Sequence, residues 1–404
     1  MPILHVLAAF VLFGAWTAAD PADWPGLWGA SRNGEAAAPP ASLPAAAKEL
    51  WRRPVTGGYS EVAIAGGRAV SMELRDGQDF VVALDAATGR EQWSARVAPT
   101  YKGHDGSDDG PIATPAIDGA DVFAVGPNGH LVALDAATGK ERWRHDLVAE
   151  FDAEIPGWGF GSSPLVEGTL VIVPTGGRKS RGLLAFERSN GRLAWQAPHH
   201  KTPAYSSAVA ATIAGVHQIV VAAGDRVYAV SPGDGRLLWS IDGLGASVAI
   251  ATSPIVLPGD RVLYGSWDET VMVKVSKEQS VLRAAEVWRT PRLRAYNGPV
   301  IHRSGLLFAV VGPQLVCADA ATGEVRWRER TGEGTLVGFG EHLLWLGQSS
   351  GELRIVRASP EGYAERFKAQ VLRPGVTSVT GPSYADGRLY VRNLREMAAF
   401  ALAR

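Results

Sequence analysis

One cysteine, Cys317, stands among the 404 residues, so the chain can form no internal disulfide and no Cys-x-x-Cys-His haem attachment. Charge of one sign is equally scarce. A formal net charge of −1 leaves none of the basic excess by which proteins hold nucleic acid or an anionic membrane surface. The local group Arg289, Arg292 and Arg294 reads as a solvated loop. Long apolar runs are missing too: the stretch from Ile3 to Trp16 is shorter than the ~20 residues a spanning helix needs. It is followed by the small residues Thr17-Ala18-Ala19, the order expected of a secretory signal over residues 1–19, although no lysine or arginine precedes the apolar run. The expected mature chain is a monomer without a membrane span, working in a periplasm or outside the cell.

What the chain has in quantity is repetition. The words from Leu131 to Trp143, Leu-Val-Ala-Leu-Asp-Ala-Ala-Thr-Gly-Lys-Glu-Arg-Trp, recur with few changes from Val81 to Trp93 and from Leu315 to Trp327. Each copy reads as an apolar strand, a tight turn and a second strand ending in an indole. Asp85, Asp135 and Asp319 are turn-formers whose carboxylates cap backbone N–H groups, and Gly139 supplies the positive φ of the turn. An indole of about 200 Å² cannot be covered by one hairpin, so each copy must dock on another.

Closing aromatics fall at Trp51, Trp93, Trp143, Trp195, Trp239, Trp288, Trp327 and Phe367, 39 to 52 residues apart. A period of this size with four strands per unit predicts an all-β fold, an eight-bladed β-propeller of four-stranded antiparallel blades over residues 48–404. Trp51 has no hairpin before it and the segment Gly381 to Leu402 ends without a Gly–Trp finish, so the N- and C-terminal strands are expected to share one blade. Residues 20–47, with Trp24-Pro25-Gly26-Leu27-Trp28 and a Pro/Ala-rich connector, read as an extended N-terminal arm with no core of its own. On that reading Trp28 contributes far less to stability than Trp143.

Segments between one closing aromatic and the next blade reach toward the propeller axis, where a rigid scaffold carries binding groups. Tyr59, Glu61, Tyr101, Lys102, Asp108, Asp109, Trp158, Phe160, Tyr205, Tyr296 and Asn297 are the candidate residues of an axial funnel. Aromatic faces interleaved with Ser, Gly and Asn suit a protein, peptide or polysaccharide. Competing sites are weaker. Asp105, Ser107 and Asp109 begin like a calcium loop, but Ala116 stands where its bidentate carboxylate belongs, so no metal ligand is assigned. His199-His200 point opposite ways in an extended chain, and Trp267-Asp268 reads as a strand-end anchor.

The pattern Ala-x-Asp-x-x-Thr-Gly-x-x-x-Trp, at Ala83 to Trp93 and Ala133 to Trp143 and shifted by one near Trp327, resembles the tryptophan-docking motif of the pyrroloquinoline-quinone (PQQ) repeat propellers. Trp24-Pro25 through Asn33-Gly34, Tyr101-Lys102-Gly103, Trp158-Gly159-Phe160 and Ser359 to Tyr363 are similar to a group of secreted PQQ-like propellers from planctomycete-type bacteria. The resemblance implies the fold and two kinds of function: quinoprotein dehydrogenases, and non-enzymatic members such as the propeller lipoprotein of outer-membrane assembly. Quinoprotein alcohol dehydrogenases hold PQQ beside a vicinal disulfide with Ca²⁺ and a catalytic Asp. One cysteine forbids the disulfide, and no residue here matches the Ca²⁺ ligands or the Asp. The expected function is a non-catalytic binding or scaffold module with no catalytic residue. The alternative is a PQQ- and Ca²⁺-dependent oxidoreductase.

Overall fold

The computed structural model describes residues 23–403 apart from 38, 41, 103–109, 177–181, 199–204, 224–225, 243–251 and 296–297. The signal segment, the start of the calcium-like loop, the histidine pair, Asp108, Asp109, Tyr296 and Asn297 lie outside the described residues. Eight four-stranded antiparallel sheets form the blades. In each, the strands are designated a to d from the axis outward. The first strands of neighbouring blades touch one another, which places them around a central channel. The second blade is typical: Ala116–Asp118, Asp121–Val125, His130–Asp135 and Glu141–Asp146. A single short helix among the described residues, Leu147–Phe151, follows it, with Asp146 capping Val148 and Ala149 N–H groups.

The eighth blade joins the ends of the chain. Ala46–Pro54 pairs with Glu396–Ala403, which continues inward to Arg388–Arg392 and Ser383–Ala385. Closure completes the ring, so each blade's sheet keeps only short edges, protected within the ring. The buried Arg392 clamps the joint: its guanidinium donates to Ser71 Oγ, to Met72 O and to the carbonyls of Gly57 and Gly58 at 2.7–2.9 Å.

Every c–d pair carries a β-bulge at the residue before its closing aromatic, and the first blade has a second one at Val97. Ala133 faces Trp143 while Leu134 faces Glu141, leaving Arg142 unpaired; Ala83 and Trp93 with Leu84 and Glu91 repeat the arrangement around Gln92. The bulge re-aims the side chain, so the indole turns toward the next blade instead of solvent. There its Nε1 donates to a carbonyl of that blade's c–d turn: Trp51 to Ala86, Trp93 to Ala136, Trp143 to Arg188, Trp195 to Pro232. The turn glycine is needed for more than its φ of +71°. A Cβ on Gly139 would meet the Trp93 ring at 2.5 Å, so the indole lies on the glycine itself. Asp135 Oδ1 accepts from Ala137 N, Thr138 N and Thr138 Oγ1 at 3.1, 2.9 and 2.8 Å, which holds the turn shape. Trp239 is the exception, bonding Gln218 within its own blade. The fifth blade's c–d hairpin, Thr270–Glu278 to Val281–Thr290, has a two-residue turn that offers no equivalent carbonyl.

The arm departs from the sequence expectation. Its two tryptophans are core residues: Trp24 is 1% exposed and Trp28 7%, against 9% for Trp143. Trp24 pairs with Ile64 of the first blade's inner strand, and Pro25 O accepts from Ile117 N of the second. The Arg32 guanidinium donates to the carbonyls of Ser163, Pro164 and Ala208 in the third and fourth blades. Gly34 lies against Pro299 and Ile301 of the sixth, and Ala36 N bonds Gly338 O of the seventh at 2.9 Å. Glu35 is paired with Arg303. The arm has no core of its own because it completes the cores of the ring, crossing the channel from the first blade to the seventh.

Candidate functional site

The connections from strand d to the next strand a converge on one mouth of the channel, and a belt of backbone-to-side-chain bonds runs beneath them. Glu61 N donates to Thr114 Oγ1 at 3.1 Å, Thr114 N to Ser163 Oγ at 2.8 Å, Ser163 N to Ser207 Oγ at 2.8 Å and Ser207 N to Ser253 Oγ at 3.0 Å. The second to fifth blades thus each satisfy a buried donor of the blade before. At the joint the pattern continues with a different group: Gly381 N of the eighth blade donates to Glu61 Oε1 at 3.0 Å. Glu61 occupies in the first blade the place that Ser or Thr holds in four others.

Its second oxygen, Oε2, accepts from Trp28 N of the arm at 3.4 Å. One carboxyl therefore ties the first blade, the eighth blade and the arm. Glu61 is 6% exposed, and burial pushes its carboxyl up to about 7, outweighing the two N–H donors that favour the ionised form. Arg32, on the other side of the arm, is held entirely by carbonyl groups, and burial lowers its guanidinium to about 10.

Above the arm lies a cavity of about 210 Å³ with Leu27 and Trp28 at its base and Tyr59, Glu61, Ile112, Tyr205 and Val379 around it. Outside it the aromatic group continues. Tyr205 Oη accepts from Trp158 N at 2.9 Å and the two rings stand 5.5 Å apart, while Tyr101 Oη donates to Gly157 O at 3.1 Å. Trp158, 36% exposed, presents its ring at the rim, and Lys102 is exposed nearby in sequence. Below the arm a second cavity of about 220 Å³ is lined by Pro25, Arg32, Ile117 and Asp118. The arm therefore divides the channel.

Of the funnel residues expected from sequence, Tyr59, Glu61, Tyr101, Trp158 and Tyr205 come together. Phe160 does not: it is 2% exposed, in the core between the second and third blades. Gly159, at φ +86°, turns the chain there, and Phe160 N bonds Pro127 O, so the ring packs onto Gly129. Trp267 is not a strand-end anchor, being 48% exposed. The residues missed are Leu27, Trp28 and Arg32. Two indoles within five residues of a segment that no repeat covers were the available signal, because such surface has to be buried somewhere.

The site does not fit PQQ with Ca²⁺. A tricyclic acidic quinone needs cationic partners and space. Among the described residues the funnel cavity is lined by one carboxylate and no lysine or arginine, and its volume is below the ~300 Å³ at which pockets for ligands of that size begin. Among the described residues no group of three His, Cys, Asp or Glu could hold a metal ion. Among the same residues no helix is long and apolar enough to cross a membrane.

Solved structures with the same fold include BamB from Moraxella catarrhalis, 15% identical, TM-score 0.64, covering 88% of this chain and 100% of that one. Quinohemoprotein alcohol dehydrogenase from Comamonas testosteroni is 14% identical, TM-score 0.71, covering 95% and 81%. A europium-containing methanol dehydrogenase is 12% identical, TM-score 0.67, covering 95% and 98%. At these identities the likeness shows the fold alone. No curated protein matches the chain. The sequence pattern of one family, described as outer membrane protein assembly factor BamB, matches residues 77–329, and the chain belongs to that family of PQQ-like repeat propellers.

Proposed function

We propose that the protein is a non-catalytic, extracytoplasmic binding module that takes a protein partner at the funnel mouth. The observation that carries this reading is the arm: Trp24, Trp28 and Arg32 fill the channel with the chain's own residues and leave a shallow, aromatic-walled recess. A recess of about 210 Å³ accepts one or two side chains of a partner, with Trp158 and Tyr205 as exposed contact area around it. Membership of the family described as outer membrane protein assembly factor BamB supports the same reading.

The test has two arms. Purified protein titrated with PQQ and Ca²⁺ should show no stoichiometric quinone absorbance and no dye reduction with an alcohol. Immobilised protein should retain a defined partner from an extracytoplasmic extract, and Trp158→Ala together with Tyr205→Ala should abolish that retention. Stoichiometric PQQ binding with alcohol oxidation would establish the oxidoreductase instead.

A further inference from the structure

A larger cavity, about 510 Å³, opens between the fifth and sixth blades, away from the funnel. It is built by three connections that share the funnel's face of the ring. These are the turn carrying Trp267 in the fifth blade, the segment Pro291 to Arg294 leading to the sixth, and the Gly312-Pro313 turn of the sixth. Arg328, on the sixth blade's outer strand, completes it. Arg289, Arg292 and Arg294 read from sequence as one solvated basic run, but the fold separates them. Arg289 is neutralised by Glu269 and Glu286 at 2.7 Å each, whereas Arg292 and Arg294 line the cavity.

The chemistry of the lining is one-sided. Three arginines line the cavity, and among the described residues no Asp or Glu lines it and none of the three is paired with a carboxylate. This contrasts with the ring as a whole, where arginines are commonly bound to acids. Arg328 is also positioned: its Nη2 donates to Arg292 O at 2.6 Å and its Nη1 to Gln314 Oε1 at 3.4 Å. Those two bonds hold the guanidinium in place and use two of its five N–H donors. Beside them stand apolar surfaces, the half-exposed indole of Trp267 with Pro291 and Pro313.

We infer that this cavity is a docking site for an acidic peptide segment, one in which carboxylates alternate with an apolar or aromatic side chain. Guanidinium forks match carboxylates in geometry and charge, and the indole with the two prolines takes the apolar neighbour. Exposed Trp and Arg at one spot are also the composition of interface hot spots. The volume lies within the roughly 300–1,000 Å³ of a preformed ligand pocket, enough for two or three side chains. The assignment rests on the reading of the chain as a binding module, though not on the axial funnel.

The experiment is isothermal titration of the full chain with a capped hexapeptide alternating phenylalanine and glutamate. The glutamine counterpart and polygalacturonate serve as comparisons. One-to-one binding is expected, weakened about tenfold or more in the glutamine peptide and progressively by added salt. Arg294→Ala and Arg328→Ala should each weaken it about five- to tenfold and Trp267→Ala about tenfold, with unchanged melting because these side chains are exposed. Tyr205→Ala should leave it unchanged, so that failure of the funnel reading and failure of this one give different patterns. The inference is overturned by absent binding or equal affinity for the glutamine peptide. Preference for polygalacturonate, or sensitivity to Tyr205→Ala but not to the Arg294, Arg328 and Trp267 variants, would overturn it as well. If any of these three variants melts early, Arg328→Gln and Trp267→Phe replace it, and retained affinity in both counts against the site.

Discussion

The molecule buries its tryptophans in two regions on opposite plans. Around the rim, indoles such as Trp93 and Trp143 are delivered by the same turn, bulge and glycine, and each donates to the neighbouring blade's turn. At the axis, Trp24 and Trp28 sit on a segment used once, touching inner strands of blades far apart in sequence. The exposures are nearly equal, 1% and 7% against 9%, yet one set repeats and the other is unique. Repetition explains how the ring closes; the unique segment determines what the channel can hold. Function in this family therefore has to be sought where the repeat is interrupted.

The comparison can be broken most severely at the joint. Removing Ala398 to Arg404 takes away most of the strand between Ala46–Pro54 and Arg388–Arg392 and should abolish cooperative unfolding of the whole ring. Circular dichroism melting checks it, and a wild-type melting temperature would contradict closure at this blade. Next come the indoles themselves. Trp24→Ala, Trp28→Ala and Trp143→Ala should each cost about 3–5 kcal/mol in denaturant unfolding, since truncating a buried aromatic loses transfer energy and leaves a cavity. A clearly smaller cost for Trp28→Ala would mean that the arm is only loosely seated.

Glu61 sharpens the axial side of the comparison. Its folded carboxyl, at about 7, lies above the ordinary value of 4.5, so the native state keeps a proton that the unfolded chain releases. Stability from this group is fully present below pH 4.5, falls as pH rises toward 7 and levels off above it. The change is about 3 kcal/mol. Glu61→Gln, which still accepts from Gly381 N, should remove that slope when unfolding is followed from pH 4.5 to 8; a slope kept intact would assign it to another group. The smallest expected effect is at the rim. Gly139→Ala should cost about 1–3 kcal/mol, because the new methyl meets the Trp93 ring and the backbone stays at positive φ. Pairing it with Trp93→Ala should recover part of that loss in a double-mutant cycle, which would be absent if φ alone mattered.

Much of this architecture was legible before any coordinates. Blade number, the shared eighth blade, the closing aromatics and the carboxylate turns at Asp85, Asp135 and Asp319 all depend on contacts a few residues apart, or on the next copy of the same words. The glycine's second role was hidden, since its neighbour Trp93 belongs to another blade. Phe160 was misplaced because Gly159 reverses the side of the chain that a spacing argument assigns. Glu61 was recognised as an acid near the funnel, but its role as the belt's substitute for a hydroxyl requires the eighth blade to arrive beside the first.

By itself the sequence determined the ring, because hairpin propensity, turn chemistry and periodicity are local and the outer hairpin recurs seven times, the eighth being assembled from the chain ends. Only the tertiary structure decided what lies at its centre and on its face. The arm crosses the channel because closing eight blades creates an apolar bore edged by backbone polar groups: two indoles cover the apolar surface, Arg32 donates to blade carbonyls, and arm carbonyls accept from blade N–H groups. Arg292, Arg294 and Arg328 meet Trp267 because two blades are adjacent in the ring, and adjacency in space is not encoded in any stretch of residues read alone.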